Sequence, residues 1–255
     1  KGDWSSDVCS SDLNISFLAG DLFNLYVGFE VFLVASYVLL TLGASAGRVR
    51  AGVGYVMVSM AVYGAVTATT AISAGAAVER LQGWGRQLAL TPMGTGGYAA
   101  TKVTVAVSVA VIPVIIVYLA GLLTNSMLDD LWRWFATAGI VVASSSVFAL
   151  YGLAAGLLFR SDGAVSAASG LLVVLAFLGN VFMPLSGALL DFARFTPLYG
   201  IVGLARYPIT EGWVVAVDGT AEQDSVWLLL ANVGVWAAIF GAIALIAARR
   251  ATARR

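Results

Sequence analysis

Residues 75–102, GAAVERLQGWGRQLALTPMGTGGYAATK, decide how this chain is arranged, because they place charge and a Gly/Pro-rich turn between two long apolar runs. Val78, Leu81 and Leu88 fall at roughly helical spacing with charged residues between them, which predicts a short amphipathic helix at a membrane surface. Trp84 suits the headgroup level of such a surface. We therefore expect this segment to lie outside the bilayer core and to contact a soluble partner. Taken alone, the pattern also fits a surface helix without a partner.

The remainder of the chain is far more apolar than a soluble protein. Its 255 residues are 60% hydrophobic and 11% charged, with a mean hydropathy of +0.92, whereas soluble domains carry about 25% charged residues. Several apolar runs approach the roughly 20 residues that cross a bilayer as a helix, and they are too long for the strands of a membrane barrel. The sequence predicts an all-α, polytopic membrane protein with about six transmembrane helices.

The apolar runs place the predicted spans, and the polar segments between them place the loops. Residues 187–207 interleave charge with apolar positions around Thr196 and Pro197, which predicts two short amphipathic helices that lie on the bilayer or re-enter it. Residues 218–224 are acidic and are expected to be solvated. The predicted spans are residues 22–42, 54–75, 98–123, 134–159, 165–184 and 226–248.

The residue types exclude several functions. The formal net charge is zero, so no basic surface indicates binding to nucleic acid. No histidine occurs, and Cys9 is the single cysteine, which leaves no nucleophile–base pair and no set of metal ligands. Lys1 and Lys102 are the two lysines, and neither follows a glycine, so a phosphate-binding loop is absent. We expect a protein that is not an enzyme and binds no metal or cofactor itself, with any ATP bound by another chain.

The first thirteen residues, KGDWSSDVCSSDL, differ from everything that follows them. They are polar and acidic without an apolar period, as in a soluble tail. The letters DVCSSDL also resemble the conceptual translation of sequencing-adapter DNA. We therefore expect residues 1–13 to be an artefact and leave them out of the fold prediction.

Residues 20–43, GDLFNLYVGFEVFLVASYVLLTLG, carry a resemblance to a known family. Over about residues 16–53 the chain resembles a helix of the Mrp-type Na+/H+ antiporter subunits and of the related membrane subunits of NADH dehydrogenase. The resemblance implies that the glutamate of the FEV motif, Glu30, takes part in proton translocation. One interpretation is therefore a fragment of a proton-translocating cation antiporter or respiratory complex. The later predicted spans, however, contain no ionisable residue except Lys102 that could continue a proton relay.

A second resemblance covers residues 54–255. It is carried by MAVYGAV before the charged segment, by VERLQGWGRQLALTP within it, by FLGNVFMPLSG at residues 177–187, and by FARFTPLYGIVGLARYPITEG at residues 192–212. Together they resemble the membrane subunit of ABC exporters of the type-2 permease family. In that family a span ending in proline precedes a short amphipathic pair with a TP[LM]Y motif. The resemblance implies that residues 54–255 are a permease transmembrane domain without its own first span.

The permease resemblance implies partners and site residues. Each permease pairs with a second permease, as a homodimer or heterodimer, and docks on an ABC ATPase subunit, which binds ATP and Mg²⁺. The helix around residues 77–90 would be the cytoplasmic coupling helix, and the pair of short helices would form an extracellular gate. The implied coupling residues are Glu79, Arg80, Gly83, Trp84, Arg86 and Gln87, and the implied gate residues are Pro184, Phe195, Thr196, Pro197 and Tyr199.

The distribution of arginine predicts the orientation of residues 54–255. Loop lysines and arginines concentrate on the cytoplasmic side. With alternating spans, the Arg-rich C-terminus and Arg160 share one side with the segment 75–102, and the acidic residues 129–130 and 218–224 share the other. We expect a bacterial plasma (inner) membrane protein with a cytoplasmic C-terminus.

Arg48 and Arg50 do not follow this pattern, because alternation places them on the opposite side from the other basic residues. The mismatch predicts a junction between residue 50 and about residue 60. We therefore predict three parts: the adapter-like tail 1–13, the antiporter-like single span 14–53, and the permease-like domain 54–255. A non-functional assembly chimera is the remaining alternative for the chain as a whole.

Overall fold

The computed structural model describes residues 46–82, 95–123, 130–159, 163–215 and 221–253. The chain divides into two compact units, Lys1–Val53 and Gly54–Arg255, and each is considered by itself. In the first unit, the described residues are the beginning of one helix. The tail 1–13, the predicted span 22–42 and Glu30 lie outside the described residues, so these predictions remain predictions.

Long helices account for most of the described residues. A two-stranded antiparallel hairpin pairs Val214 with Glu222. The elements in chain order are α1 (Ala46–Ala74), α2 (Ala76–Leu81), α3 (Thr95–Leu123), α4 (Leu131–Ser144), α5 (Ser146–Leu158), α6 (Ala164–Leu178), α7 (Gly187–Ala193), α8 (Pro197–Thr210), β1 (Trp213–Val215), β2 (Ala221–Gln223) and α9 (Val226–Ala253).

The fold class predicted from the sequence is confirmed: the protein is a multi-pass, mostly helical membrane protein. In the described ranges, four stretches are long and apolar enough to cross a membrane, and α7 with α8 would make a fifth if that bent pair counts as one span. The two members of the pair are bent by 93°, so the predicted pair of short helices is present. The four stretches are Gly52–Glu79, Gly96–Leu123, Leu131–Leu158 and Val226–Arg249.

The predicted span 165–184 is too long, because α6 ends at Leu178. Asn180 adopts a left-handed conformation with φ of 60°, and the N–H of Val181 donates to the carbonyl of Ala176 at 3.1 Å, which closes the helix end. At 1.5 Å per residue, the 15 residues of α6 extend about 22 Å, less than the roughly 30 Å of a hydrocarbon core. Helix α6 is therefore an apolar helix that is shorter than the hydrocarbon core of a bilayer.

The span predicted at 134–159 is interrupted at Ser145, where α4 ends and α5 begins. All three hydroxyls of the serine run bond to carbonyl oxygens of the preceding turn: Ser144 to Ile140, Ser145 to Val142, and Ser146 to Ala143. Serine hydroxyls that bond back in this way bend helices. The run therefore satisfies its own polar groups within the helix pair.

Two glycines of α5 allow it to lie directly against α1. A Cβ at Gly152 would be 2.4 Å from the carbonyl oxygen of Thr70, and one at Gly156 would be 2.6 Å from the carbonyl oxygen of Ala74. Their four-residue spacing is the small-residue pattern that brings membrane helices into backbone contact. The crossing places α5, which is buried along most of its length, at the centre of the second unit.

Successive helices run in alternating directions, so the second unit has two ends. We name each end after an acidic residue that is buried or half-buried there. The Glu79 end comprises α2, the start of α3, and the ends of α5 and α9; its core is rich in alanine. The Asp224 end comprises α7, α8, the hairpin and the start of α9; its core has larger side chains. The first core is Ala76, Ala99, Leu153, Ala154, Leu157, Ala244, Ala247 and Ala248, and the second is Leu185, Leu190, Ala193, Tyr199, Leu204 and Leu229.

Candidate functional site

Arg194 is the centre of a polar cluster at the turn between α7 and α8. Its guanidinium lies 3.1 Å from Asp191, 2.6 Å from Glu222 and 3.0 Å from Asp224. Asp191 belongs to α7, Glu222 to β2, and Asp224 to the segment just before α9. One side chain thus connects the turn to the hairpin and to the following helix.

Asp224 is the buried member of this cluster, and only 5% of its side chain is exposed. One carboxylate oxygen accepts from Arg194, and the other accepts from the hydroxyl of Tyr199. The expectation that residues 218–224 are solvated is therefore wrong for Asp224. The local sequence does not indicate the burial of Asp224, because its partners Arg194 and Tyr199 lie 30 and 25 residues earlier in the chain.

Side chains of α9 bind the backbone of the same turn. The amide nitrogen of Asn232 donates to the carbonyls of Arg194 and Thr196, at 2.8 and 3.1 Å. The indole N–H of Trp236 donates to the carbonyl of Phe195 at 3.0 Å. Gly200 of α8 permits the close approach, because a Cβ there would lie 2.5 Å from the side-chain oxygen of Asn232. Three successive carbonyls of the turn are bound by two side chains one helical turn apart.

The predicted gate residues divide into a group at this turn and one residue apart from it. Phe195, Thr196, Pro197 and Tyr199 belong to the turn and the first turn of α8, whereas Pro184 is an exposed residue between α6 and α7. Phe195 is exposed, and the other three residues at the turn are buried. Their role as a gate remains a prediction.

Arg206 is a site residue that the sequence analysis missed. It lies in α8, is 5% exposed, and donates to the hydroxyl of Ser59 and to the carbonyls of Asn180 and Val181, the latter two at 2.8 and 3.1 Å. Its guanidinium carbon lies 3.8 Å from the centre of the Tyr55 ring. Arg206 therefore joins α8 to α1 and to the end of α6.

In the described part of the chain, Arg206 contacts no carboxylate. Its charge is compensated by carbonyl oxygens and by an aromatic ring. The two carbonyls follow the C-terminus of α6, where the helix dipole is equivalent to roughly half a negative charge. The face of an aromatic ring adds a further attraction for a cation. An ionisable residue within an apolar membrane segment is in general a candidate for a functional site. This rule could have identified Arg206 from the sequence.

A small cavity lies beside these groups. Its volume is about 20 Å³, room for about one or two water molecules, whereas pockets for organic ligands measure roughly 300–1,000 Å³. Within the described residues, no group of three or more His, Cys, Asp or Glu side chains could hold a metal ion. The cavity is lined by residues that include Tyr55, Asn180, Tyr199, Arg206, Trp213 and Asp224.

At the other end of the unit, Glu79 of α2 is bonded to two residues of α3. One carboxylate oxygen accepts from the ammonium of Lys102, and the other accepts from the hydroxyl of Tyr98 at 3.0 Å. The pair is half-buried: the Glu79 side chain is 33% exposed and that of Lys102 is 17% exposed. Sequence analysis predicted Glu79 as a coupling residue but gave no partner for it.

The remaining predicted coupling residues mostly fall outside the described ranges. Arg80 belongs to α2. Gly83, Trp84, Arg86 and Gln87 lie outside the described residues, so their predicted role as a contact surface stays a prediction.

Comparison with known proteins identifies similarity over a short segment. The proteins described as "Putative antiporter subunit mnhD2" from Staphylococcus aureus strains JH9 and Newman are each 56% identical to this chain over 45 residues. The segment is 18% of this chain and 9% of each relative, so the chain spans about a tenth of the relatives' length. No family model matches the chain.

These similarities confirm the antiporter resemblance for a segment of that size. They give no support to the permease resemblance, which stays a prediction. The chain is thus a multi-pass membrane protein with partial similarity to an antiporter subunit.

Proposed function

We propose that residues 54–255 form the membrane subunit of an ATP-driven exporter, of the ABC type-2 permease class. The observation that supports it is the order of elements before the last candidate span. A short apolar helix, α6, is followed by a pair bent by 93°, and Pro184 and the Thr196-Pro197-Leu198-Tyr199 motif occupy the two junctions. This is the arrangement that the permease resemblance implies.

In this proposal the Asp224 end is the extracellular gate, seen in its closed position. Arg194 of the α7–α8 turn pairs with three neighbouring carboxylates, and Asn232 and Trp236 of α9 donate to carbonyls of the turn. Opening a path beside this turn requires these contacts to break or to move together. If the bonds to Asn232 and Trp236 are kept, the turn moves together with α9.

The Glu79 end is the proposed coupling end. An ATPase subunit would contact the segment around residues 77–90, and the ion pair of Glu79 with Lys102 lies at the base of this segment. ATP and Mg²⁺ would be bound, and ATP hydrolysed, by that partner, so that this chain is not itself the enzyme. A second permease subunit, identical or related, would complete the path.

The proposed orientation places the Glu79 end in the cytoplasm of a bacterial cell. Arg249 lies at this end near the C-terminus of α9, followed in the sequence by three more arginines. Basic residues near span ends favour the cytoplasmic side. Asp130, Asp191 and Glu222 are exposed at the opposite end.

The second candidate function is that of a proton-translocating antiporter, with Glu30 as a proton site. The specific observation in its favour is the 56% identity over 45 residues to the staphylococcal antiporter subunits. Sequence comparison supports this candidate directly for that segment, whereas the permease proposal depends on the order of elements. The two candidates concern different residues and can be tested separately.

A photo-cross-linking amino acid at position 84 of the full chain, expressed in bacterial membranes, tests the first proposal. We expect a cross-linked subunit that is labelled by azido-ATP, and no such product from the same probe at Val215, which is exposed at the opposite end. An equal yield of nucleotide-labelled product at both positions, or none at position 84, contradicts the proposal.

Inverted vesicles test the second candidate. Sodium-dependent release of a proton gradient that is abolished by Glu30→Gln would support an antiporter. A sodium response that is identical with and without the substitution would exclude Glu30 as the proton site.

A further inference from the structure

We propose that Lys102 and Tyr98 are positioning residues that tie α2 to α3, so that a displacement of α2 moves α3 with it. This inference rests on the proposed coupling function of the Glu79 end. It starts from a carboxylate whose two oxygens are both occupied by side chains of one neighbouring helix. A carboxylate held from two directions fixes both the distance and the orientation of the elements that it joins.

These bonds are a direct polar connection between the two helices. Among the described contacts, the Glu79 carboxylate of α2 bonds to Tyr98 and Lys102 of α3. Ala76 of α2 belongs to an apolar core with Ala99, Leu153, Ala154 and Leu157. Apolar packing is non-directional, whereas a charge-assisted bond adds geometric specificity.

Partial burial strengthens the ion pair between Glu79 and Lys102. The Lys102 side chain is 17% exposed at the start of a helix whose later residues are almost entirely apolar. Separating two partly desolvated charges leaves each of them without compensation, which is unfavourable in a low dielectric. The two helix ends are therefore expected to remain together through a conformational change.

The consequence for coupling is that α3 follows α2. Helix α3 continues for 29 residues and contains one of the candidate spans. A push on α2 would reach α5 by packing, and would reach α3 through the carboxylate of Glu79. Loss of the tie would leave the subunit assembled but would weaken the response of α3.

Charge exchange in the full chain, assembled with its ATPase subunit, tests this inference. The variants are Lys102→Met, Glu79→Gln, Tyr98→Phe and the exchange pair Glu79→Lys with Lys102→Glu. Thr101→Val is the matched control, because Thr101 is exposed and its hydroxyl bonds only to the backbone of its own helix in the described contacts. Transport-dependent stimulation of ATP hydrolysis and the amount of assembled complex are measured for each variant.

We expect Lys102→Met to lower the stimulation by roughly 2- to 30-fold with unchanged assembly, the range of coupling that single residues carry. The exchange pair should recover most of the stimulation, and Tyr98→Phe should lose less than Lys102→Met. Equal stimulation in Lys102→Met and Thr101→Val overturns the inference. So does a loss that the exchange pair does not recover while its assembly is normal.

A double-mutant cycle on the thermal midpoint of the purified chain separates this inference from the proposed function. Glu79→Gln and Lys102→Met should be non-additive if the tie exists. If the cycle is non-additive but no ATPase assembles with the chain, the proposed function fails and the coupling role fails with it. If the ATPase assembles and the cycle is additive, the tie alone is refuted.

Discussion

The two ends of the second unit are held together by different means. At the Asp224 end, six hydrogen-bonding side chains from α7, α8, β2, the segment before α9 and α9 itself surround the turn that carries Arg194. At the Glu79 end, the core is rich in alanine, and the carboxylate of Glu79 makes the polar bonds described between α2 and α3. Polar clusters have directional bonds that define one geometry, whereas apolar packing is non-directional. In the proposed exporter, the Asp224 end would define a position and the Glu79 end would transmit a movement.

The largest expected effect comes from removing the centre of the polar cluster. Arg194→Gln leaves the buried carboxylate of Asp224 with Tyr199 as its remaining described partner. Breaking a buried pair by removing one member costs about 3–5 kcal/mol. We expect the free energy of unfolding in detergent to fall by this amount, as measured by denaturant titration.

Asp191→Asn is the control for that substitution, since Asp191 is 72% exposed and touches the same guanidinium. If the two variants are destabilised equally, burial of Asp224 is not the reason for the effect.

A smaller effect is expected at the close-packed end. Gly156→Ala places a methyl group 2.6 Å from the carbonyl oxygen of Ala74, a backbone atom that cannot rotate away. Overpacking costs about 1–3 kcal/mol, and we expect a value near the top of this range. Gly170→Ala is the matched control, because nothing lies within 4 Å of a Cβ there, and it should be neutral or stabilising. A stable Gly156→Ala variant would mean that α1 and α5 are not in backbone contact.

Arg206→Met should cost about 2 kcal/mol, because buried carbonyl oxygens that lose their donor cost about 1–3 kcal/mol each while the variant no longer buries a charge. The carbonyls concerned are those of Asn180 and Val181. The unfolding midpoint should fall, and hydrogen exchange at the end of α6 should rise. Unchanged exchange at residues 179–182 would show that the guanidinium does not hold this helix end.

The smallest effect is expected at the rim of the polar cluster. Glu222→Gln removes a carboxylate that is 54% exposed, and exposed ion pairs contribute at most about 1 kcal/mol. The difference from the unmodified chain should shrink further in high salt. If the loss of stability were as large as that of Arg194→Gln, the stabilisation by the cluster would come from Glu222 and not from Asp224.

Local sequence pattern predicts the helices and not the contacts between them. Apolar runs gave the candidate spans, and Thr196-Pro197 gave the break between α7 and α8, because these signals depend on neighbouring residues. The end of α6 at Leu178 was missed, since a left-handed Asn180 ends the helix before the apolar run does.

The polar partners were missed for a different reason. Asp224 looks solvated within its own segment, and its burial depends on residues that the fold brings from the α7–α8 turn. Arg206 meets Ser59, which lies 147 residues earlier in the chain. Contacts over such separations have no signature in a local pattern. The 45-residue similarity is also local, because it covers one segment and gives no information on contacts across the rest of the chain.

The spacing of Asn232 and Trp236 also limits how α9 can move. Each residue of an α-helix turns the side chains by about 100° around the axis, so rotation of α9 by a single residue would carry both donors away from the three carbonyls that they bind. A closer lateral approach of α8 and α9 is also limited, because the Asn232 side chain already occupies the space beside Gly200. A movement of α9 that keeps these bonds therefore carries the 194–196 turn with it.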